Sequence, residues 1–264
     1  MAVSGSVASL RVDLNADVGE SFGRYVLGQD TALMPLITSA NVACGFHAGD
    51  PHVMRRTVQM AIEHGVAIGA HPGFPDLAGF GRRAIPLSPA EVEDVVVYQV
   101  GALSGMVRAC GGILRHVKPH GALYNVAADD PSVAEAVAQA TAAVDPGLVL
   151  VGLAGSASID AARAAGLTTA SEAFADRTYE ANGRLSPRDR TDAVIHDPEE
   201  VAARAVFMVT HRAIPTRDGG SRPSDVDTIC IHGDTPGAAA LALAIREALA
   251  KAGVTVAPVA GRGL

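Results

Sequence analysis

Tryptophan is absent, and aromatic residues make up only 4% of the chain, which says little about function. Basic runs are absent too. Lys and Arg number 21 against 28 Asp and Glu, giving a net charge of −7. A phosphate-backbone partner needs a basic face, so no nucleic-acid partner is expected. Cysteine is scarce: Cys44, Cys110 and Cys230 are far apart and none belongs to a CxxC pair. That excludes a zinc ribbon or a disulfide framework and suits a reducing compartment. No apolar run approaches the roughly 20 residues that span a bilayer, so no membrane partner is expected. The first ten residues lack the basic and apolar regions of a secretory signal. These absences together point to a cytoplasmic protein. No Gly-Lys-Ser/Thr phosphate loop occurs either.

What is present is an alternation of strand and helix. Strands are expected at Arg11–Asp17, Ser39–Gly45, Ala67–His71, His116–His120, Leu148–Gly152, Thr169–Asp176 and Thr228–Asp234. Helices are expected at Pro51–His64, Ser88–Ala109, Ser132–Val144, Ser156–Ala165, Pro198–His211 and Pro236–Lys251. Asp50-Pro51, Asp197-Pro198 and Thr235-Pro236 each read as a cap followed by proline at the first helical position. Ser88-Pro-Ala-Glu91 reads as a capping box. Alternation at this spacing means a parallel sheet with helices outside. The 264 residues match the roughly 250 of a β/α barrel. The expectation is an α/β fold, a seven-stranded β/α (TIM-like) barrel over 10–264 behind a loose tail, Met1–Ser9. A missed eighth strand or a doubly wound open sheet is the alternative. Ile214–Val226, rich in Pro, Gly, Ser and Asp, reads as an exposed loop.

Side chains alternate faces along a strand, and the polar residues follow that period. Asp13, Asn15 and Asp17 share one face of the first strand. Asn41 aligns with Ala43, Gly45 and, if the strand extends, His47. His71 ends the third strand. His116, Lys118 and His120 share a face of the fourth, Glu172 and Asp176 of the sixth, His232 and Asp234 of the last. Burying so many charges is costly unless they are paired or used. In a barrel they converge where catalytic sites form, at the C-terminal ends of the strands. The bland alternative is a polar core whose ion pairs only fix the fold.

The connecting motifs carry the same ambiguity. Asp13–Glu20 holds enough acids to bind a cation, orient a water or act as a general base, or it forms a solvated Asx turn. Ser39–Pro51 is strand, glycine-rich turn and helix start, where an anion would be stabilised. Cys44 faces away from His47 by parity, so a buried cysteine is expected there. The glycine- and proline-rich stretch from Gly69 to Arg83 reads as a loop over the site. Arg82 or Arg83 could clamp an anion or form a surface ion pair. Lys118 reads as a charge clamp, a Schiff-base former or a proton donor, or as half of a structural pair, for example with Glu172. His52, His64, His196 and His211 fall on helices or loops and read as solvated.

The blocks DLNADVGE, SANVACGFHAGDP, GAHPGFPD, GFGRR, VKPHGALYN, EAFADRTY, GRLSPR and IHGD follow in order between positions 13 and 234. Together they resemble the LamB/YcsF family. The resemblance implies a glycoside hydrolase/deacetylase-like barrel. It also implies an ATP-dependent 5-oxoprolinase, in which this chain works with a B and a C subunit to convert 5-oxo-L-proline, ATP and water to L-glutamate, ADP and phosphate. ATP is then a co-substrate, which the partner subunits can bind.

A five-membered lactam is an unstrained, resonance-stabilised amide. Phosphorylation of its oxygen makes the carbon electrophilic, after which water attacks and phosphate and the protonated nitrogen depart. Such a site needs a base, an anion clamp and an acid. Asp17 with His47 or His71 is expected as the base pair. Lys118 and His120 would stabilise the oxyanion or protonate nitrogen, with Glu172 beside them. Arg83 and Arg177 would hold carboxylate or phosphate. Asp13, Asn15, Glu20, Asn41, Tyr124, Asn125, Asp176, His232 and Asp234 complete the expected binding set. No metal is assigned. The alternative function is a stand-alone metal-dependent deacetylase or amidohydrolase using Asp17, His47 and His71. A ligand-binding or scaffolding subunit is the non-enzymatic reading.

Overall fold

The computed structural model describes residues 10–259 apart from 189, 232 and 234–236. In chain order the elements are β1 (Arg11–Val18), α1 (Asp30–Leu33), β2 (Ser39–Ala43), α2 (Pro51–Glu63), β3 (Ala67–His71), α3 (Pro89–Ala109), β4 (Leu114–Val117), α4 (Gly121–Asp129) and α5 (Pro131–Val144). Then come β5 (Val149–Leu153), α6 (Ala157–Ala164), β6 (Thr168–Phe174), α7 (Pro198–Thr210), β7 (Ala213–Pro215), β8 (Ser221–Pro223), β9 (Thr228–Ile231), α8 (Ala238–Lys251) and β10 (Thr255–Val256). Strands β1, β2, β3, β4, β5, β6 and β9 pair in that order, all parallel, and β9 pairs back onto β1. The sheet therefore closes into a seven-stranded barrel, and β10 only extends it beside the start of β1.

The expected caps are formed. Asp50 accepts from the backbone N–H groups of His52 and Val53 at 2.8 and 3.0 Å, ahead of Pro51. Ser88 and Glu91 form the reciprocal capping box of α3. Asp197 caps α7 ahead of Pro198 as expected, while α5 opens at Pro131 on an Asp130 cap, one residue before the expected start at Ser132. The Thr235-Pro236 start lies outside the described residues. Outward-facing Leu14, Ala16, Val42, Ala70, Leu150 and Ile229 are buried against helix residues such as Val58, Val96, Leu103, Val137 and Ile245. Each large side chain so buried contributes about 1.5–3 kcal/mol.

Strands β2 and β6 end at Ala43 and Phe174, short of the expected Gly45 and Asp176, and two further expectations need correction. Ile214–Val226 is not simply a loop, because β7 and β8 pair antiparallel as a short hairpin. The fourth strand ends at Val117 rather than His120, since Pro119 has no N–H to donate. The chain nevertheless continues beside β3: the Lys118 N–H donates to the Ala70 carbonyl at 2.9 Å and the His120 N–H to Pro72 at 2.8 Å. His120 then precedes α4, a helix that the sequence pattern does not announce.

Candidate active site

The parallel register sets the interior layers. Asp17, Asn41, Gly69 and His116 lie side by side across β1 to β4. Gly69 is required here, because a Cβ at that position would lie 2.0 Å from His116 Nε2. The vacated space lets His116 Nε2 donate to Asn41 Oδ1 at 2.8 Å. Asn41 in turn donates to Asn15 Oδ1 at 2.7 Å and to Asp17 Oδ1 at 2.9 Å. Deeper still, Asp13 accepts from the hydroxyls of Thr38, Ser39 and Thr228 at 2.5–2.7 Å. Burial raises the Asp13 pKa despite those hydroxyls.

Lys118 is at the centre. It is 2% exposed. Its Nζ lies 3.0 Å from Asp17 Oδ1, 2.9 Å from Glu172 Oε1, 3.2 Å from Asn15 Oδ1 and 2.9 Å from Cys230 Sγ. Burial works to lower its pKa, but neighbours led by Asp17, Glu172 among them, outweigh this and hold the ammonium charged. Burial pushes the Cys230 thiol well up, so its sulfur accepts in the neutral form.

Above Lys118, three imidazoles and two carboxylates line up at the barrel mouth. The Nδ1 of His71 is 2.7 Å from the Lys118 carbonyl, and its Nε2 is 3.4 Å from Asp17 Oδ2. His120 Nδ1 is 2.9 Å from His71 Nε2, while His120 Nε2 is 2.8 Å from the Phe80 carbonyl. His47 stacks on His120 with ring centroids 3.8 Å apart and planes 5° from parallel. Glu20 Oε1 is 4.0 Å from His47 Nε2 and 3.9 Å from His120 Nδ1. Burial first, then the neighbouring imidazoles, lowers His47 well below its usual pKa and His120 to about 3, so both rings are neutral near pH 7. The loop after β3 encloses them. At Gly81, φ is +64° and a Cβ would lie 2.7 Å from both His47 Cβ and His120 Cδ2.

These groups open into a cavity of about 320 Å³. Asp17, Glu20, His71, Lys118 and His120 form one wall, and Tyr124, Asn125 and Phe174 another; Arg82, Arg177 and Arg188 also line it. The Arg177 side chain donates to the Ala193 and Ser186 carbonyls at 3.0 and 2.6 Å, which braces the segment covering the cavity. Burial lowers the Arg177 pKa to about 10, leaving it charged at pH 7. Burial first, then Glu172, raises Tyr124 far above a free phenol. Three arginine side chains in the lining of one cavity suit a carboxylate or a phosphate. Glu20, His47, His71 and His120 place one ligand atom each within 4.8 Å of one another, close enough to surround a metal ion.

A model of the LamB/YcsF family matches residues 12–263. The chain belongs to the LamB/YcsF family. The A subunit of the 5-oxoprolinase of Heliobacterium modesticaldum is 56% identical to it over 247 residues, 94% of this chain and 97% of that protein. The crystal structure of a lactam utilization protein from Thermus thermophilus matches with a TM-score of 0.90 at 51% identity, over 95% of this chain and 100% of that one. A family 4 carbohydrate esterase from Streptomyces lividans shares the fold alone, with a TM-score of 0.50 at 11% identity over 95% of this chain and 93% of that one.

In this LamB/YcsF chain the expected site residues divide by depth. Asp17, Glu20, His71, Lys118, His120, Tyr124, Asn125 and Arg177 line the cavity. His47 is packed directly behind that wall against His120. Asn15, Asn41 and Glu172 hold Asp17 and Lys118 from below, and Asp13 lies deeper. Asp176 is buried near the end of β6 without lining the cavity. Arg83 is not brought to the site: its side chain is 67% exposed and pairs with Asp76. Arg82 takes that place, with its guanidinium 4.9 Å from the centre of the Phe80 ring. His232 and Asp234 lie outside the described residues. Arg188 stands within the GRLSPR block, and only that block, not the arginine itself, is marked by the sequence. Cys44 is buried, and His52, His64, His196 and His211 are exposed, as parity and position imply.

Proposed function

We propose that this chain is the A subunit of an ATP-dependent 5-oxoprolinase and acts in the cytoplasm with B and C subunits to open 5-oxo-L-proline to L-glutamate. The observation that carries the reading is the cavity, where two carboxylates, a buried ammonium, two imidazoles and three arginine side chains converge. The names of the relatives agree with it, and no helix among the described residues is long and apolar enough to cross a membrane.

The roles follow from the geometry. Asp17 Oδ1 is occupied by Lys118 and Asn41, which leaves Oδ2 facing His71 and the cavity. Asp17 is thereby oriented as the base that takes a proton from water. The arginines hold the substrate carboxylate and the incoming phosphoryl group. ATP transfers its terminal phosphoryl group to the lactam oxygen and leaves as ADP. Water adds to the activated carbon, and its proton passes by way of Asp17 to the ring nitrogen. The nitrogen must leave before the phosphate, since loss of phosphate first would return the lactam. A γ-glutamyl phosphate results, and a second water releases phosphate and glutamate. The positive charge of Lys118 offsets charge developing on the attacked centre. The test is glutamate release from 5-oxoproline by this chain with its B and C partners, with and without ATP. ATP-dependent release by the assembly and little by the chain alone is expected. Strong ATP-independent turnover by the isolated chain would favour the stand-alone amidohydrolase instead.

A further inference from the structure

We propose that Glu20, His47, His71 and His120 form a binding site for a divalent first-row transition ion of the zinc type at the inner wall of the cavity. The argument begins with hydrogen-bond roles. His71 Nδ1 lies 2.7 Å from the Lys118 carbonyl, which can only accept, so Nδ1 carries the proton and Nε2 the lone pair. By the same reasoning His120 donates from Nε2 to the Phe80 carbonyl, and its Nδ1 bears the lone pair. Those two lone pairs face each other across 2.9 Å, and Asp17 Oδ2 approaches the same His71 nitrogen at 3.4 Å. Three acceptors aimed at one point repel unless a proton or a metal ion lies among them, and the metal ion also accounts for the unpartnered imidazole beside them.

Backbone carbonyls that fix the tautomer from behind are also the usual outer support of a metal-ligating histidine. A second observation is independent. His47 is 1% exposed, and neither of its ring nitrogens has a hydrogen-bond partner. A buried imidazole without partners is costly, and here its Nε2 is directed toward Glu20, 4.0 Å away. Nitrogen and oxygen ligands at about 2.0–2.2 Å from a tetrahedral ion lie about 3.3–3.6 Å apart. The separations of 2.9, 3.9 and 4.0 Å bracket that range, and the shell is completed when the His47 ring turns out of its parallel stack on His120 so that both in-plane lone pairs meet one ion. Three imidazoles and one carboxylate suit zinc, cobalt or iron rather than calcium or magnesium. Glu20, His47, His71 and His120 bring one ligand atom each within 4.8 Å of one another, and Asp17, held by Lys118 and Asn41 through Oδ1, borders this set without belonging to it.

The proposal does not depend on the lactam reading, because binding is measured without substrate. The full chain is stripped with chelator and titrated with Co²⁺ alone, then with Zn²⁺ in competition. One Co²⁺ per chain is expected, with the intense visible bands of four-coordinate cobalt, and Zn²⁺ displaces it. Glu20→Gln and His120→Asn should each weaken binding by about 100-fold or more, whereas His52→Asn, at an exposed position of α2, leaves it unchanged. Circular dichroism checks that each variant is folded; if neither folds, the cobalt spectrum of the unaltered chain decides alone. No stoichiometric binding at low micromolar metal, a six-coordinate spectrum, or folded Glu20→Gln and His120→Asn variants that bind like the unaltered chain would each overturn the site.

Discussion

Replacing Lys118 by Met removes one ammonium group and keeps most of the side-chain volume. Nothing else in the layer can take over its charge. Asp17 Oδ1 and Glu172 Oε1, 3.0 and 2.9 Å from Nζ, are left buried against an apolar side chain. Breaking a buried pair by removing one partner costs about 3–5 kcal/mol. At about 2–4 °C per kcal/mol for a chain of this size, the melting temperature should fall by roughly 6–20 °C. Glutamate formation should be lost as well, because Asp17 loses the contact that orients it. The two effects separate in the double variant Lys118→Met/Glu172→Gln. Removing one of the two stranded carboxylates should recover part of the lost stability, while turnover stays absent. Thermal melts and the glutamate assay on the reconstituted assembly read both. A Lys118→Met protein that melts within about 1 °C of the unaltered chain would refute the buried-pair account, since that drop is under 0.5 kcal/mol. Near-normal turnover would remove Lys118 from the chemistry.

Arg82→Ala should raise the KM for 5-oxoproline by about tenfold or more, the worth of a charge-assisted hydrogen bond, while Arg83→Ala should change it by less than about twofold, because that side chain lies outside the cavity and pairs with Asp76. Equal effects in steady-state kinetics would contradict the assignment of Arg82 to the cavity. His116 has its pKa lowered by burial, and by Lys118, to about 3. The unfolded chain therefore binds a proton below about pH 6.5 that the folded chain refuses, and this costs stability as pH falls from 6.5 toward 3. Between pH 7 and pH 5 the unaltered chain should lose about 2 kcal/mol more than His116→Gln in urea titrations; identical losses would show that His116 does not titrate this way. Gly81→Ala forces a Cβ to within 2.7 Å of His47 and His120 at a φ of +64°. Displacing those rings by a fraction of an ångström should cut turnover by up to about 100-fold, and a fully active variant would show that the rings tolerate movement.

Much of the site was legible because strand parity is rigid. Asp13, Asn15 and Asp17 alternate with Val12, Leu14 and Ala16, so one face had to enter the barrel, and it does. Lys118 and His120 followed the same rule even though β4 stops before them, since backbone bonds to Ala70 and Pro72 hold the extended path. His47 was placed by extending β2, yet that strand ends at Ala43 and the histidine arrives through a turn with Gly45 at φ +95°. Its convergence with His71 and His120 is a tertiary fact that no local pattern encodes. The choice between Arg82 and Arg83 was equally hidden. It depends on successive left-handed residues, Phe80 at φ 55° and Gly81 at φ 64°, which decide which arginine turns inward. Helix α4 went unseen because it is nine residues long and has no side-chain cap.

The central claim is that this barrel mouth opens the lactam and that Asp17 is the group that activates water there. Asp17→Asn is nearly isosteric and keeps an oxygen for Lys118, but it cannot accept the proton. Glutamate formation by the Asp17→Asn chain with the proposed B and C partners, measured with saturating ATP and 5-oxoproline, tests this most directly. A fall of about 10²–10⁴-fold, with the melting curve of a folded protein, is the predicted result. Glutamate formation at an undiminished rate would contradict it.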